Sequence, residues 1–281
     1  MNFSYLILLS AILSTIGTYV DKKIIDNGIS RKNYFYYMCL TMIPFALISL
    51  FLEIKTNNYK FCFNYIVIIL LLMAAFLRYI KQKSFVGCYR KLEPYEFKTY
   101  MSVTLIICFF IDIVLGIQTF TILKLLSIIL IIVGVILTYN VKVNIKKIQK
   151  DLVIRIISDV IMGYVIYNIL KYWSNGIFIL LLNLLLTLLF TPIYKPYKKE
   201  NNISLGMFGL ILLQQTFGFT YTYINNYLSS NSVTLSTFVS PISLIFITIT
   251  AFLLRKEKKP SIENIIGIVL AGIGICLIKL F

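Results

Sequence analysis

The sequence predicts an all-α polytopic membrane protein with ten transmembrane helices arranged as two inverted five-helix repeats. Three observations carry that expectation. Apolar residues make up 59% of the 281, and charged residues only 14%, about half the charged share of an average soluble domain. The apolar residues gather into stretches long enough to cross a bilayer as helices, separated by short polar connectors. The two halves of the chain also repeat each other's landmarks in the same order. Between Asn201 and Leu254 there is no charged residue at all, which no water-facing domain would tolerate.

The spans follow in order. Phe3 to Val20 is free of charge and lacks the basic start and small-residue cleavage site of a signal peptide, so it reads as a retained first helix. Asn33 to Leu52, Asn64 to Arg78 and a little beyond, Phe97 to Leu115, and Thr121 to Tyr139 complete the first five. The fourth carries Lys98 and Asp112 and is the least regular. A lysine-rich connector follows, and then Leu152 to Leu170, Ile177 to Tyr194, Ser204 to Tyr223, Ser232 to Leu254 and Ile262 to Leu280. Connectors this short leave no room for a soluble domain. Tyr34, Phe35, Tyr36 and Tyr37 at one span start, and Tyr194 and Tyr197 at another span end, read as interfacial aromatic anchors.

The internal duplication rests on spaced identities. Lys23 and Asn27-Gly28-Ile29 match Lys171 and Asn175-Gly176-Ile177 at an offset of 148. At the same offset Ser10 matches Ser158, Tyr19 matches Tyr167 and Pro44 matches Pro192. The fifth and tenth spans align at an offset of 140, which sets Gly134 on Gly274. Residues 1–141 then form one repeat, 142–151 a basic connector, and 152–281 the second repeat. A unit with an odd number of spans hands its successor the opposite starting side, so five plus five implies an inverted repeat.

The net charge of +16 does not point to nucleic acid, because the cations are not gathered on one face or tail. Connectors after the odd-numbered spans, with their margins, hold 22 of the 27 Lys and Arg. Positive-inside logic then sets both termini outside, in what reads as a bacterial plasma membrane. Of the five cysteines, Cys39, Cys108 and Cys276 lie inside spans and Cys62 and Cys88 fall at opposite ends of the third, and there is no histidine. No disulfide framework, metal site or cofactor is implied, and no acid–base constellation suggests an enzyme.

The closing fifty residues carry the family signal. Ser236 and Pro241 lie in the ninth span, Glu257 just beyond it, and Gly267, Gly272 and Gly274 in the tenth. In these residues, in its length and in its duplication, the chain resembles the drug/metabolite transporter superfamily, of the type with two EamA-like halves. The resemblance implies a ten-helix transporter. It departs from the family pattern in the first half, where Met101 and Ile117 align with Pro241 and Glu257.

The site candidates come from polar groups inside apolar spans, which must find partners or water. In the eighth span Gln214, Gly218, Tyr221 and Asn225 share one helical face, with Gln215 beside it. They are candidates for a solute-cavity wall, or for interhelical glue. Ser236 and Ser240 belong to a line of hydroxyls with Ser232 and Ser243, which serves packing or lines a wet path. Pro241 is a candidate flex point. Asp159 is a candidate proton-coupling group; the plainer reading pairs it with Arg155, four residues earlier. Asp112 reads as a group reaching the headgroups, and Arg78 and Lys81 as snorkelling groups that fix topology rather than an anion clamp. Gly267 and Ala271, with Gly272 and Gly274, form a packing face within the bundle or between the protomers of a homodimer.

The expected function is a secondary transporter that moves a small metabolite or drug-like solute by alternating access. No GxxxxGK loop is present to couple it to ATP. The alternatives are a flippase or carrier for a lipid-linked or nucleotide sugar, which requires a cavity open sideways to lipid and basic residues in the interior, and a non-transporting membrane scaffold, which requires a well-packed interior.

Overall fold

The computed structural model describes residues 3–92, 94–139, 150–195, 203–255 and 262–277. These form twelve helices and no strand: α1 (Phe3–Asp26), α2 (Arg31–Lys55), α3 (Tyr65–Tyr89), α4 (Pro94–Met101), α5 (Val103–Val114), α6 (Ile122–Tyr139), α7 (Lys150–Ile169), α8 (Asn175–Tyr194), α9 (Leu205–Asn231), α10 (Val233–Thr237), α11 (Val239–Arg255) and α12 (Ile262–Cys276). Glu257, Tyr197 and most of the basic connector lie outside the described residues.

Seven elements are long and apolar enough to cross a membrane: α1, α2, α3, the α4–α5 pair, α7, α8 and the α10–α11 pair. The helices α6 and α12 are apolar but shorter. At 27 residues, α9 is about 40 Å long, more than a bilayer core needs. Its run of Gln, Thr, Tyr and Asn keeps its mean hydropathy below that of the other long helices. Large apolar side chains such as Phe51, Phe76, Leu188 and Val269 stand on the outer surface, a covering suited to lipid rather than water.

Local sequence sets the helix ends. The side chains of Ser30, Asn64 and Ser204 accept backbone N–H groups of Asn33, Ile66 and Met207 at the starts of α2, α3 and α9. After α1 the chain turns through Gly28 at φ +82°, a left-handed conformation that favours glycine. Two spans are interrupted. The α4–α5 span breaks at Ser102 and the α10–α11 span at Phe238. Pro241 accounts for the second break, because it cannot donate to the carbonyl of Thr237, the final residue of α10.

Packing is pairwise. The principal contacts join α6 to α12, α2 to α8, α3 to α7 and α1 to α9, with α11 also against α1. Glycine makes the α6–α12 contact close: a Cβ at Gly134 would stand 2.5 Å from the Ala271 nitrogen and 2.6 Å from the Gly267 oxygen. Ser127 Oγ donates to the Gly274 carbonyl at 2.9 Å across the same seam. The glycine face of α12 at Gly267 and Gly274 is thus engaged within the chain, whereas a Cβ at Gly272 would meet nothing within 4 Å.

The α2–α8 interface corrects the expectation for the aromatic residues. Tyr34, Phe35, Tyr36 and Tyr194 are buried rather than anchored in headgroups. Phe35 and Tyr36 meet Tyr194 edge-on, and Phe190 stacks on Tyr194. Such pairs add to the apolar area they bury, and the interface is where that gain is available.

Candidate functional site

Among the described residues the helices surround a partly open cavity of about 220 Å³ whose walls are both polar and apolar. One wall is α9. Gln214 and Gln215 are buried there, and Gln215 Nε2 donates to Gln214 Oε1 at 2.7 Å. Gly218, one turn on, leaves room for the Gln214 amide to lie along the helix: a Cβ there would approach it to 3.1 Å. Tyr221 and Asn225 continue the same face, so all five residues line the cavity. Ser236 and Ser240 reach it from α10 and α11. Pro241 is buried next to Ser240 but is not part of the lining.

Facing α9 are charged groups from α1, α3, α4 and α7. Asp159 lines the cavity and is the shared counter-ion of two cations. Arg155 Nε stands 3.1 Å from its carboxylate, and Lys81 forms a second ion pair with it. Arg155 is fixed further by donating to the Lys81 carbonyl at 2.8 Å and by lying over the Phe85 ring, 5.3 Å from its centre. From α4, Lys98 donates to Ser14 Oγ at 2.7 Å. Asp21 of α1 accepts the hydroxyl of Tyr34. Arg78 lines the same space without a hydrogen bond or ion pair among the described residues.

This arrangement corrects the reading of Arg78 and Lys81 as snorkelling groups. Both line the cavity inside the bundle, together with Lys98 and Arg155. Sequence reasoning also passed over Lys98, Asp21 and Asn183 as lining residues. The available signal was that three separate spans each bring a cation inward, and an inward cation must face water or a counter-charge.

Three amide oxygens on the cavity wall have no hydrogen-bond partner among the described residues: Asn183 Oδ1, Gln215 Oε1 and Asn225 Oδ1. Each oxygen is itself buried, an acceptor that a rotation of its amide would present to an O–H or N–H in the cavity.

Asp112 is a second correction. It is fully buried rather than reaching outward. Its carboxylate accepts from Tyr164 Oη at 2.8 Å, Ser232 Oγ at 2.6 Å, and both the backbone N–H and the hydroxyl of Thr234 at 2.9 and 2.7 Å. Glu53, which no local sequence pattern singles out, plays a matching part: it accepts from Ser174 Oγ, the Gly176 N–H and Tyr223 Oη at 2.7–2.8 Å. Both carboxylates join helices near the C-terminal end of α9, and neither lines the cavity.

Compared with known proteins, the chain matches no family model and no curated protein.

Proposed function

We propose that this protein is a secondary transporter of the EamA type, moving a small solute by alternating access without ATP. The observation that carries the reading is the cavity: a partly open space within an otherwise apolar bundle, lined by charged and amide side chains on helices from both halves of the chain. A scaffold would fill such a space with packed side chains, since buried polar surface without partners is costly.

The helix pairing supports the two-repeat arrangement. If α1 and α7 are counterparts, and likewise α3 and α9, then α3 on α7 is the image of α1 on α9. The α2–α8 and α6–α12 pairs each join a helix to its own counterpart. A two-fold axis in the membrane plane relates contacts in this way. The breaks at Ser102 and Phe238 fall in counterpart spans. In this reading the chain is integral to a plasma membrane with both termini outside, and a rocking of one half on the other would expose the cavity to each side in turn.

The carrier of a lipid-linked or nucleotide sugar remains the second reading, because the basic residues it requires are present in the interior. Flux assays with the purified protein in liposomes, across a panel of metabolites, test the proposal. Flux of at least one solute class is expected; folded protein that moves none of them would overturn it.

A further inference from the structure

We infer that the cavity binds a small oxyanion, a carboxylate or phosphate that also carries hydroxyl or amino groups, with Arg78 and Lys98 meeting its charge. The inference deepens the transport reading and rests on it for translocation, though not for binding.

Charge balance comes first. Arg78, Lys81, Lys98 and Arg155 line the cavity, against Asp21 and Asp159, which leaves two cations in excess. Asp159 is already divided between Lys81 and Arg155. Lys98 hydrogen-bonds only the neutral Ser14 hydroxyl and feels Asp21 and Asp159 at longer range, and Arg78 has neither a hydrogen bond nor an ion pair among the described residues. Cations held inside a bilayer without a directly paired counter-charge are expensive, and a bound anion relieves that cost. The guanidinium of Arg78 offers the paired N–H geometry that carboxylate and phosphate oxygens accept.

The uncharged end of the ligand is specified by the opposite wall. Asn183 Oδ1, Gln215 Oε1 and Asn225 Oδ1 are acceptors left without donors. Rotation of these buried amides toward the cavity brings their oxygens to hydroxyl or amino groups on the ligand, which a bare anion or an apolar molecule lacks. The excess positive charge turns away cationic solutes. The oxyanion could belong to a free solute or to a lipid headgroup, and the same chemistry recognises both.

The test uses the purified full chain and a matched series: glycerol, glycerate and glycerol phosphate, with binding measured by equilibrium titration and thermal stabilisation. Binding of glycerate or glycerol phosphate, and not of glycerol, is expected. Arg78→Gln and Lys98→Met each weaken it by roughly tenfold or more. Arg78→Lys retains part of it, which keeps the test open if Arg78→Gln does not fold. Lys83→Gln, which removes the same charge from an exposed position on α3, leaves binding unchanged. Binding seen only in nanodiscs containing phosphatidic acid, and lost in Arg78→Gln, supports the inference with a lipid as the source. Equal binding of glycerol, absence of binding by all anionic probes, or indifference to Arg78 overturns it. Flux of a neutral or cationic solute without anion binding sinks this inference and spares the transporter; Arg78-dependent binding with no flux of any solute does the reverse.

Discussion

The Asp112 carboxylate accepts the backbone N–H of Thr234 at 2.9 Å, tying the end of α5 to the first turn of α10 in the other half of the chain. Three side-chain hydroxyls, from Tyr164, Ser232 and Thr234, complete its shell. Replacing Asp112 by alanine strands all four donors in a dry environment and is expected to cost roughly 2–4 kcal/mol. Asp112→Asn keeps one acceptor oxygen and should lose less. Thermal unfolding of the detergent-purified variants checks the order, and an unchanged Asp112→Ala would refute it.

Gly176→Ala is expected to loosen the Glu53 junction. A Cβ at position 176 would stand 2.7 Å from Glu53 Oε2 and 2.9 Å from Ser49 Oγ, so the carboxylate must withdraw from the donors it now accepts. A loss of about 1–3 kcal/mol follows. With Glu53→Ala as the second change, the two losses should fall well short of additive, which a double-mutant cycle in thermal stability measures.

A second cycle addresses Lys81 and Asp159. Asp159→Asn leaves Lys81 and Arg155 facing each other without their shared counter-ion, so the single variant should be clearly destabilised. Adding Lys81→Met removes one of the two stranded cations and should restore part of the loss. If the double variant is no better than Asp159→Asn alone, the ion pair has no energetic role.

On the α9 wall, Gln215→Leu removes an acceptor whose oxygen has no partner among the described residues. The fold should survive, while flux of a transported solute falls by about fivefold, the worth of one neutral hydrogen bond of ~1 kcal/mol. Equal flux for wild type and variant would exclude a contact between this amide and the solute.

Glycines on α12 and its neighbour separate into two kinds. Gly134→Ala drives a methyl group into the backbone of Ala271 and Gly267 and should destabilise by about 1–3 kcal/mol. Gly272→Ala meets nothing within 4 Å and should be neutral or stabilising by up to ~1 kcal/mol, through helix propensity. Melting temperatures of the pair decide the matter.

Much of the helical layout was legible because length and apolarity speak directly to the bilayer. The α9 face could be read from Gln214, Gly218, Tyr221 and Asn225 because helical spacing alone puts them on one side. The basic group opposite was not legible. Arg78 and Arg155 are far apart in sequence, and near a span end a cation that snorkels outward has the same local sequence as one that turns inward. Only the α3–α7 contact decides between them. Asp112 was misread for a similar reason: its donors come from Tyr164, Ser232 and Thr234, and no local pattern announces them. The aromatic residues at the start of α2 have the composition of an interfacial belt, but Tyr194 gives Phe35 and Tyr36 a buried alternative and Asp21 gives Tyr34 another.

The seam between α6 and α12 bears on how the chain is made. During synthesis α6 enters the membrane long before α12 exists, so its small-residue groove at Gly134 must stand open to lipid until the partner arrives. For that interval the nascent protein carries an unsealed flank that fits one later segment closely. Any insertion factor or quality-control protease that reads bare helix grooves would have its widest opportunity then, and a chain stalled before α12 should be cleared faster than one that finishes.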